Sequence, residues 1–271
     1  MKLSNIFSRR NRILLRELVV TDFKLRYQGS VLGYLWSLLK PLLLFTILYV
    51  VFVRFLKFGA GIPHFEVSLL LGIVLWTFFT EATGQGMQAI VGRGDLIRKI
   101  SFPKYIIVIS GTLSALINLL LNMLVVLFFI LINGVDIKWS ILLLPLNVFE
   151  LYIFALALAF WLSAVYVKYR DVSHIWEVFL QGLFYATPIL YPISLVIQNA
   201  NVEVAKVLML NPIAQIVQDA RYNAVSHETI TTSGFIDKWY FVIIPYAIVI
   251  ITVIAASYHF RKNQKYFAEQ V

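Results

Sequence analysis

Four ionisable side chains stand inside long apolar runs, where a charge is costly and normally marks a function, a pairing or a route to the interface. They are Lys40, Glu81, Glu150 and Glu177. Lys40 comes only a few residues into its run, so its stem can carry the ammonium back to the membrane surface. Glu81 neighbours Gly84 and Gly86 and reads as a polar link between helices rather than a proton carrier. Glu150 and Glu177 fall in separate runs, and Glu177 could pair with either Lys40 or Arg170. These acids are single and dispersed, whereas a membrane enzyme of lipid-linked sugar chemistry would cluster acids, histidines and basic residues on one face. The histidines, His64, His174, His227 and His259, include no i, i+4 pair for a metal and form no recognisable arrangement with a serine nucleophile. There is no cysteine, which removes disulfides, thiolate zinc sites and cysteine nucleophiles. Nor is there a G-x-x-x-x-G-K-S/T stretch to cradle nucleotide phosphates. Neither a metal nor a cofactor is expected on this chain.

The elements that must carry these residues are membrane spans. Of 271 residues 60% are hydrophobic and 14% charged, and mean hydropathy is +0.82. An ordinary soluble domain has about a quarter charged residues. A soluble fold has nowhere to hide this much apolar surface, whereas a bilayer solvates it. Six apolar stretches stand out, namely 32–53, 67–91, 105–132, 141–167, 175 to about 191, and 239–260. A helix needs about 20 residues to cross a hydrocarbon core about 30 Å thick. The fifth stretch is short and broken by Pro188 and Pro192; the others are long enough.

Net charge is +9. Basic chains often meet nucleic acid, but these charges sit in short segments between apolar runs, which encodes topology instead. Seventeen Lys and Arg fall on the side of the N-terminal segment and six on the other. That bias predicts both termini in the cytoplasm. The first ten residues have no apolar stretch behind their basic ones, so no cleaved leader is expected and the first span serves as anchor. Residues 9–27 read as an interfacial amphipathic helix, or more plainly as a basic stop holding the N-terminus inside. Leu14, Leu18 and Leu25 form one ridge with Leu15, Val19 and Phe23 beside it. Arg9, Arg10, Arg12, Arg16 and Lys24 face the other way. Ile13 and Val20 intrude on the basic face, and Asp22 on the apolar one.

The polar stretch from about Leu195 to Lys238 lies outside. It contains apolar pieces, Val202, Val204, 207–210 and 213–217, that can form short helices. With Pro188 and Pro192 they point to a chain that turns in the outer leaflet and re-enters. Irregular backbone at that depth must be buried in protein or line a cavity. A simple extracellular loop is the alternative.

Several segments together resemble one family. Asp22-Phe-Lys-Leu-Arg-Tyr-Gln-Gly-Ser-Val-Leu-Gly-Tyr-Leu-Trp-Ser-Leu-Leu-Lys-Pro41 resembles the approach to the first span of ABC type-2 exporter permeases, in particular those moving O-antigen, teichoic acid and other polysaccharides. Asp95-Leu-Ile-Arg-Lys-Ile-Ser-Phe-Pro-Lys-Tyr105 is similar to their cytoplasmic coupling helix. Ala186-Thr-Pro-Ile-Leu-Tyr-Pro192 and Leu210-Asn-Pro-Ile-Ala-Gln-Ile-Val-Gln-Asp-Ala-Arg-Tyr222 resemble the family's outer gate. Each motif alone is weak; their order and spacing along nearly the whole chain make the likeness specific.

The resemblance implies an all-α integral membrane protein of the bacterial cytoplasmic (inner) membrane, one transmembrane domain over residues 1–271 with six transmembrane helices. An N-terminal amphipathic interfacial helix would occupy residues 1–31, a coupling-helix loop 92–104, and re-entrant outer-leaflet helices a gate region at 188–238 before the last span. It implies a homodimer bound to two copies of a separate ABC ATPase that holds the ATP and Mg, moving a lipid-linked glycan, with undecaprenyl diphosphate as the carrier. Asp95, Leu96, Ile97, Arg98, Lys99, Phe102 and Pro103 would couple to the ATPase, Arg98 and Lys99 meeting acidic partners and Ile97, Ile100 and Phe102 a pocket. Phe45, Tyr49 and Phe52 share one helix face at i, i+4 and i+7. By resemblance they line the channel opposite Phe184, Tyr185 and Tyr191, their rings stacking on sugars; packing between helices is the plain alternative. Lys40 and Arg221 are the candidates for a lipid pyrophosphate, Arg221 alternatively bracing the gate through Asp219. An ABC type-2 exporter of a drug or simple lipid would share this architecture.

Overall fold

A computed structural model of the chain describes residues 8–27, 30–235 and 239–270. Expectations that fall on residues 1–7 (including Lys2 and the absence of a leader), on Gln28, Gly29 and Lys238, and on the side chains of Phe23 and Arg26 lie outside it. Every regular element among the described residues is helical. The helices are α1 (Arg9–Tyr27), α2 (Trp36–Leu48), α3 (Phe65–Gln88), α4 (Gly94–Lys99), α5 (Tyr105–Ile132), α6 (Leu144–Lys168), α7 (Val172–Ala186), α8 (Ile193–Asn199), α9 (Val202–Met209), α10 (Pro212–Ala224), α11 (Thr232–Phe235), α12 (Trp239–Asn263) and α13 (Phe267–Gln270). A 3₁₀ turn at Gly33–Leu35 leads into α2, which continues as a π-helix over Tyr49–Phe55.

Five of these segments are long and apolar enough to cross a membrane: Gly33–Phe55, Phe65–Gln88, Tyr105–Ile132, Trp139–Lys168 and Trp239–Asn263. The expected fifth crossing departs from that pattern. Its helix α7 has 15 residues, about 22 Å at 1.5 Å per residue, short of a hydrocarbon core. It stops where the chain must leave helical geometry. Thr187 precedes Pro188 and is extended, at φ −100° and ψ 130°, because the proline ring disfavours the α region for the residue before it.

The bundle is organised around α3, whose most apolar stretch is 78% buried. It packs most extensively on α5 and α6, and also touches α2, α7 and α10. Lipid supplies no hydrophobic drive between helices, so close approach of small residues must hold them together. A Cβ at Gly86 would sit 2.4 Å from the Ala159 Cβ of α6, and one at Gly111 would sit 3.3 Å from the Gln85 carbonyl oxygen. Thr83, Ser110, Thr112 and Ser114 are buried in the same seams, each hydroxyl returned to a carbonyl of its own helix.

Polar links cross the bundle among α2, α3 and α5. Glu81 of α3 accepts from the Asn118 amide of α5 at 3.1 Å, the interhelix link its glycine-rich surroundings predicted. One turn further, Asn122 donates to the Ser37 carbonyl of α2 at 3.1 Å. Pro41 lies four residues past Ser37 and has no N–H to offer that carbonyl. Asn122 supplies the missing donor, which lets α2 keep a proline inside it.

Candidate functional site

Two ends of the bundle carry the sequence-derived candidates. The first is built on α1, α4 and α13. Gly94–Lys99 forms a single short helix with Asp95 in its first turn and Arg98 and Lys99 in its last, each sign matching the helix dipole. Ile100 is extended and Pro103 precedes α5, so the helix ends there. Ile97 is buried in a cluster with Phe260 and Phe267, and Phe102 packs against the same cluster. Leu96, Phe102 and Pro103 are half-buried, while Asp95, Arg98, Lys99 and Ile100 are exposed. Of the expected coupling residues, then, Ile97 and Phe102 anchor the helix within this chain. The surface it offers outward is Asp95, Arg98, Lys99 and Ile100. Beside it, burial lowers the Lys104 ammonium from the usual lysine range while Glu269 pulls it back up.

Alongside runs α1. Arg9, Arg10, Arg12, Arg16 and Lys24 are exposed, and Leu14, Leu15, Leu18 and Val19 are half-buried, with Leu18 against the Ile97 cluster. Leu25, placed on the apolar ridge by its spacing, is exposed instead. Asp22, the intruder on that face, has a structural reason: its carboxylate pairs with Arg93 in the turn before α4.

The expected channel aromatics divide. Phe45 is buried, edge-on to Phe129 of α5 at 5.8 Å. Tyr49 lies 5.8 Å from Phe45 and accepts from Arg54 Nε at 3.0 Å through its hydroxyl. Phe52 meets Phe58 at 5.4 Å. In this chain the three-residue stripe faces its own core. On α7, Phe184 packs on Trp76 at 5.5 Å, and Trp176 Nε1 donates to Thr83 at 3.2 Å, tying α7 to α3. Tyr185 is 65% exposed. The Tyr191 hydroxyl donates back to the Tyr185 carbonyl at 2.8 Å. Lys40 is exposed on α2, and Glu177 on α7 forms no ion pair with Lys40 or Arg170.

The opposite end is built on α10. Asn211 caps it, its side chain accepting from the Ile213 amide, with Pro212 at the first turn. Arg221 is 2% exposed. Its guanidinium donates to the carbonyls of Ser68 at 3.0 Å, Pro188 at 2.7 Å and Ile189 at 2.7 Å. A Cβ at Gly72 would lie 2.7 Å from Arg221 Nη2, so a glycine is what admits the guanidinium beside α3. The fork of Arg221 thus satisfies the carbonyls freed where the chain breaks at Pro188. Bracing through Asp219 is not what the structure holds. Asp219 points to the other side of α10, where it accepts from Gln215 Nε2 at 2.6 Å and from Tyr246 of α12 at 3.4 Å. Glu150 of α6 neighbours Gln215 and Asp219. Beyond them opens a cleft of about 650 Å³ lined by Asn147, Asp219, Tyr222, Asn223, His227 and Glu228 among others.

Sequence reading missed Phe267, Asn122 and Gln215 as organising residues. Asn118 and Asn122 were visible as an i, i+4 amide pair in a span without charges. Gln215 and Phe267 gave no such signal, because their partners come from distant segments.

The ABC-2 type transporter family matches residues 13–224 of the chain. The chain is 34% identical over 220 residues to the O-antigen export system permease protein RfbA of Myxococcus xanthus, covering 80% of this chain and 81% of that protein. It is 26% identical over 252 residues to a Klebsiella pneumoniae protein of the same name, covering 92% and 91%. The matched residues run from α1 through α10 and so include α4 and Arg221 but not α12 and α13. The chain belongs to the ABC-2 type transporter family.

Proposed function

We propose that this chain is the membrane-spanning subunit of an ATP-driven exporter that carries a lipid-linked polysaccharide of O-antigen type out across the cytoplasmic membrane. The substrate class comes from the relatives, which are O-antigen export permeases matched over most of their length. The observation that carries the mechanism is α4, a helix anchored inward by Ile97 that leaves Arg98, Lys99 and Ile100 exposed. Such a helix can seat in an ABC ATPase and pass its closure to α3 and α5, which flank it in the chain. Two ATPase copies would serve two copies of this chain, held together through spans such as α2 and α12, whose most apolar stretches are only 11% and 17% buried.

The α4 end would face the cytoplasm, in keeping with the charge bias. The α8–α10 segment would fold back within the outer leaflet and gate the exit, and α7 with it would complete the sixth crossing. Of the two cations considered for a lipid pyrophosphate, such as that of undecaprenyl, Lys40 is free to meet it; Arg221 is engaged by three carbonyls. Of the six channel candidates, Tyr185 is the most exposed, which suits it to meet a sugar.

The test is affinity purification of the tagged chain from its native membrane. Wild type should bring down a stoichiometric ABC ATPase, and the triple variant Arg98→Ala, Lys99→Ala, Ile100→Ala should lose it while staying monodisperse. A well-folded wild type without an ATPase would sink the reading. Loss of the gene product should also strand lipid-linked glycan inside the cell. An exporter of a drug or simple lipid would leave surface polysaccharide intact.

A further inference from the structure

A six-residue helix cannot hold its own shape, since isolated helices shorter than about 12–15 residues are marginal in water. The orientation of α4 must therefore be set by what it rests on. Part of that seat is local: Phe102 follows α4 in the chain. Another part arrives from more than 150 residues away. Phe267 of α13 is fully buried and stands edge-on to Phe260 at the end of α12, with ring centres 5.4 Å apart. Phe260 in turn meets Phe160 of α6 edge-on at 4.9 Å. Ile97 lies in this same cluster, and α13 touches α4 directly.

The far side of the loop is held by the same segment. Lys104, the residue before α5, donates to the Gln264 carbonyl at 2.8 Å, and its ammonium lies 5.9 Å from the Phe267 ring centre. Residues 264–270 thus grip the α4 loop at its helix and again at its exit into α5. None of these residues lies in the channel or gate region, and residues 225–271 fall outside the part of the chain the family match covers.

We propose that residues 264–270 are the positioning element of the α4 loop, with Phe267 as its anchor. They fix the direction in which Arg98, Lys99 and Ile100 are presented to the ATPase. The geometry is independent of the coupling reading; its purpose rests on that reading.

Because the chain has no cysteine, a single introduced one can be labelled cleanly. A spin label at Lys99→Cys reports the seat of α4, and one at Val207→Cys, exposed on α9, reports the opposite end. In full-length protein reconstituted in lipid, Phe267→Ala should raise mobility at position 99 and leave position 207 unchanged. Phe267→Leu should restore most of the order at 99. In the assembled complex, Phe267→Ala should lower export severalfold while the ATPase still co-purifies, with Phe267→Leu again recovering. An unchanged spectrum at 99 overturns the proposal, as does equal loosening at both labels, which would make Phe267 a general core residue. Loosening at 99 with normal export overturns it too, since the loop would then need no fixed seat. Failure of the coupling reading would look different, as a wild type that retains no ATPase.

Discussion

The two ends of this bundle solve opposite problems. At the α4 end an apolar cushion of Ile97, Phe102, Phe260 and Phe267 holds a short helix, and the charges of that helix are left outside. At the α10 end a charge goes inside. Arg221 is buried, and it donates to the two backbone carbonyls exposed at the proline break and to the Ser68 carbonyl of α3. Apolar contact is non-directional, so the first end can yield slightly and still hold. Charged hydrogen bonds to fixed carbonyls are directional and are expensive to leave unmade, so the second end should be stiff and all-or-none.

The sharpest way to break this contrast is Arg221→Leu. It strands the two buried carbonyls at the break, of Pro188 and Ile189, and at about 1.5–3 kcal/mol for each hydrogen bond to a charged group the loss should reach about 3 kcal/mol or more. The expected result is little monodisperse protein in size-exclusion chromatography. Arg221→Lys should recover only part, because a point ammonium cannot span three carbonyls as a planar fork does; full recovery would refute the directional account.

Ile97→Ala comes next. It opens a cavity in the cushion, with an expected cost of about 2 kcal/mol or more, read as a lower thermal midpoint for protein that still folds. A smaller effect is expected from Gly72→Ala, whose new Cβ would press on Arg221 Nη2. Crowding of this kind costs about 1–3 kcal/mol, and here the side chain that must yield is long. If Gly72→Ala proves harmless, the guanidinium has room the structure does not show. Least of all should stability change in Arg98→Ala, an exposed position, where shifts within about 0.5 kcal/mol are usual. Its expected effect is weaker ATPase retention in the same purification.

Asp22 and Arg93 illustrate how far a sequence can be read. A helical wheel marks Asp22 as misplaced, and it is misplaced only for an isolated helix; its reason is Arg93, 71 residues on. Phe45, Tyr49 and Phe52 teach the same lesson from the other direction. Their common face was legible from i, i+4, i+7 spacing, but which surface that face meets depends on where α5 places Phe129. The loop that carries α4 was legible through the resemblance, as a short helix within 92–104 ended by Pro103; in the structure only Gly94–Lys99 is α-helical, and Ile100 is already extended. Which of its side chains point inward was not legible, because the cushion beneath it comes from α12 and α13.

What the sequence determined by itself was solvent and periodicity: an apolar composition that only a bilayer can accept, the number and placement of the long spans, and the proline that ends α7. These follow from transfer free energy and backbone sterics, which act on a stretch of chain wherever it sits. The tertiary structure decided how each lone polar group is satisfied: Asn122 for the carbonyl that Pro41 frees, Arg221 for the break at Pro188, Asn118 for Glu81. In lipid there is no water to complete a hydrogen bond, so the partner must come from another helix, and only the packed bundle fixes which one.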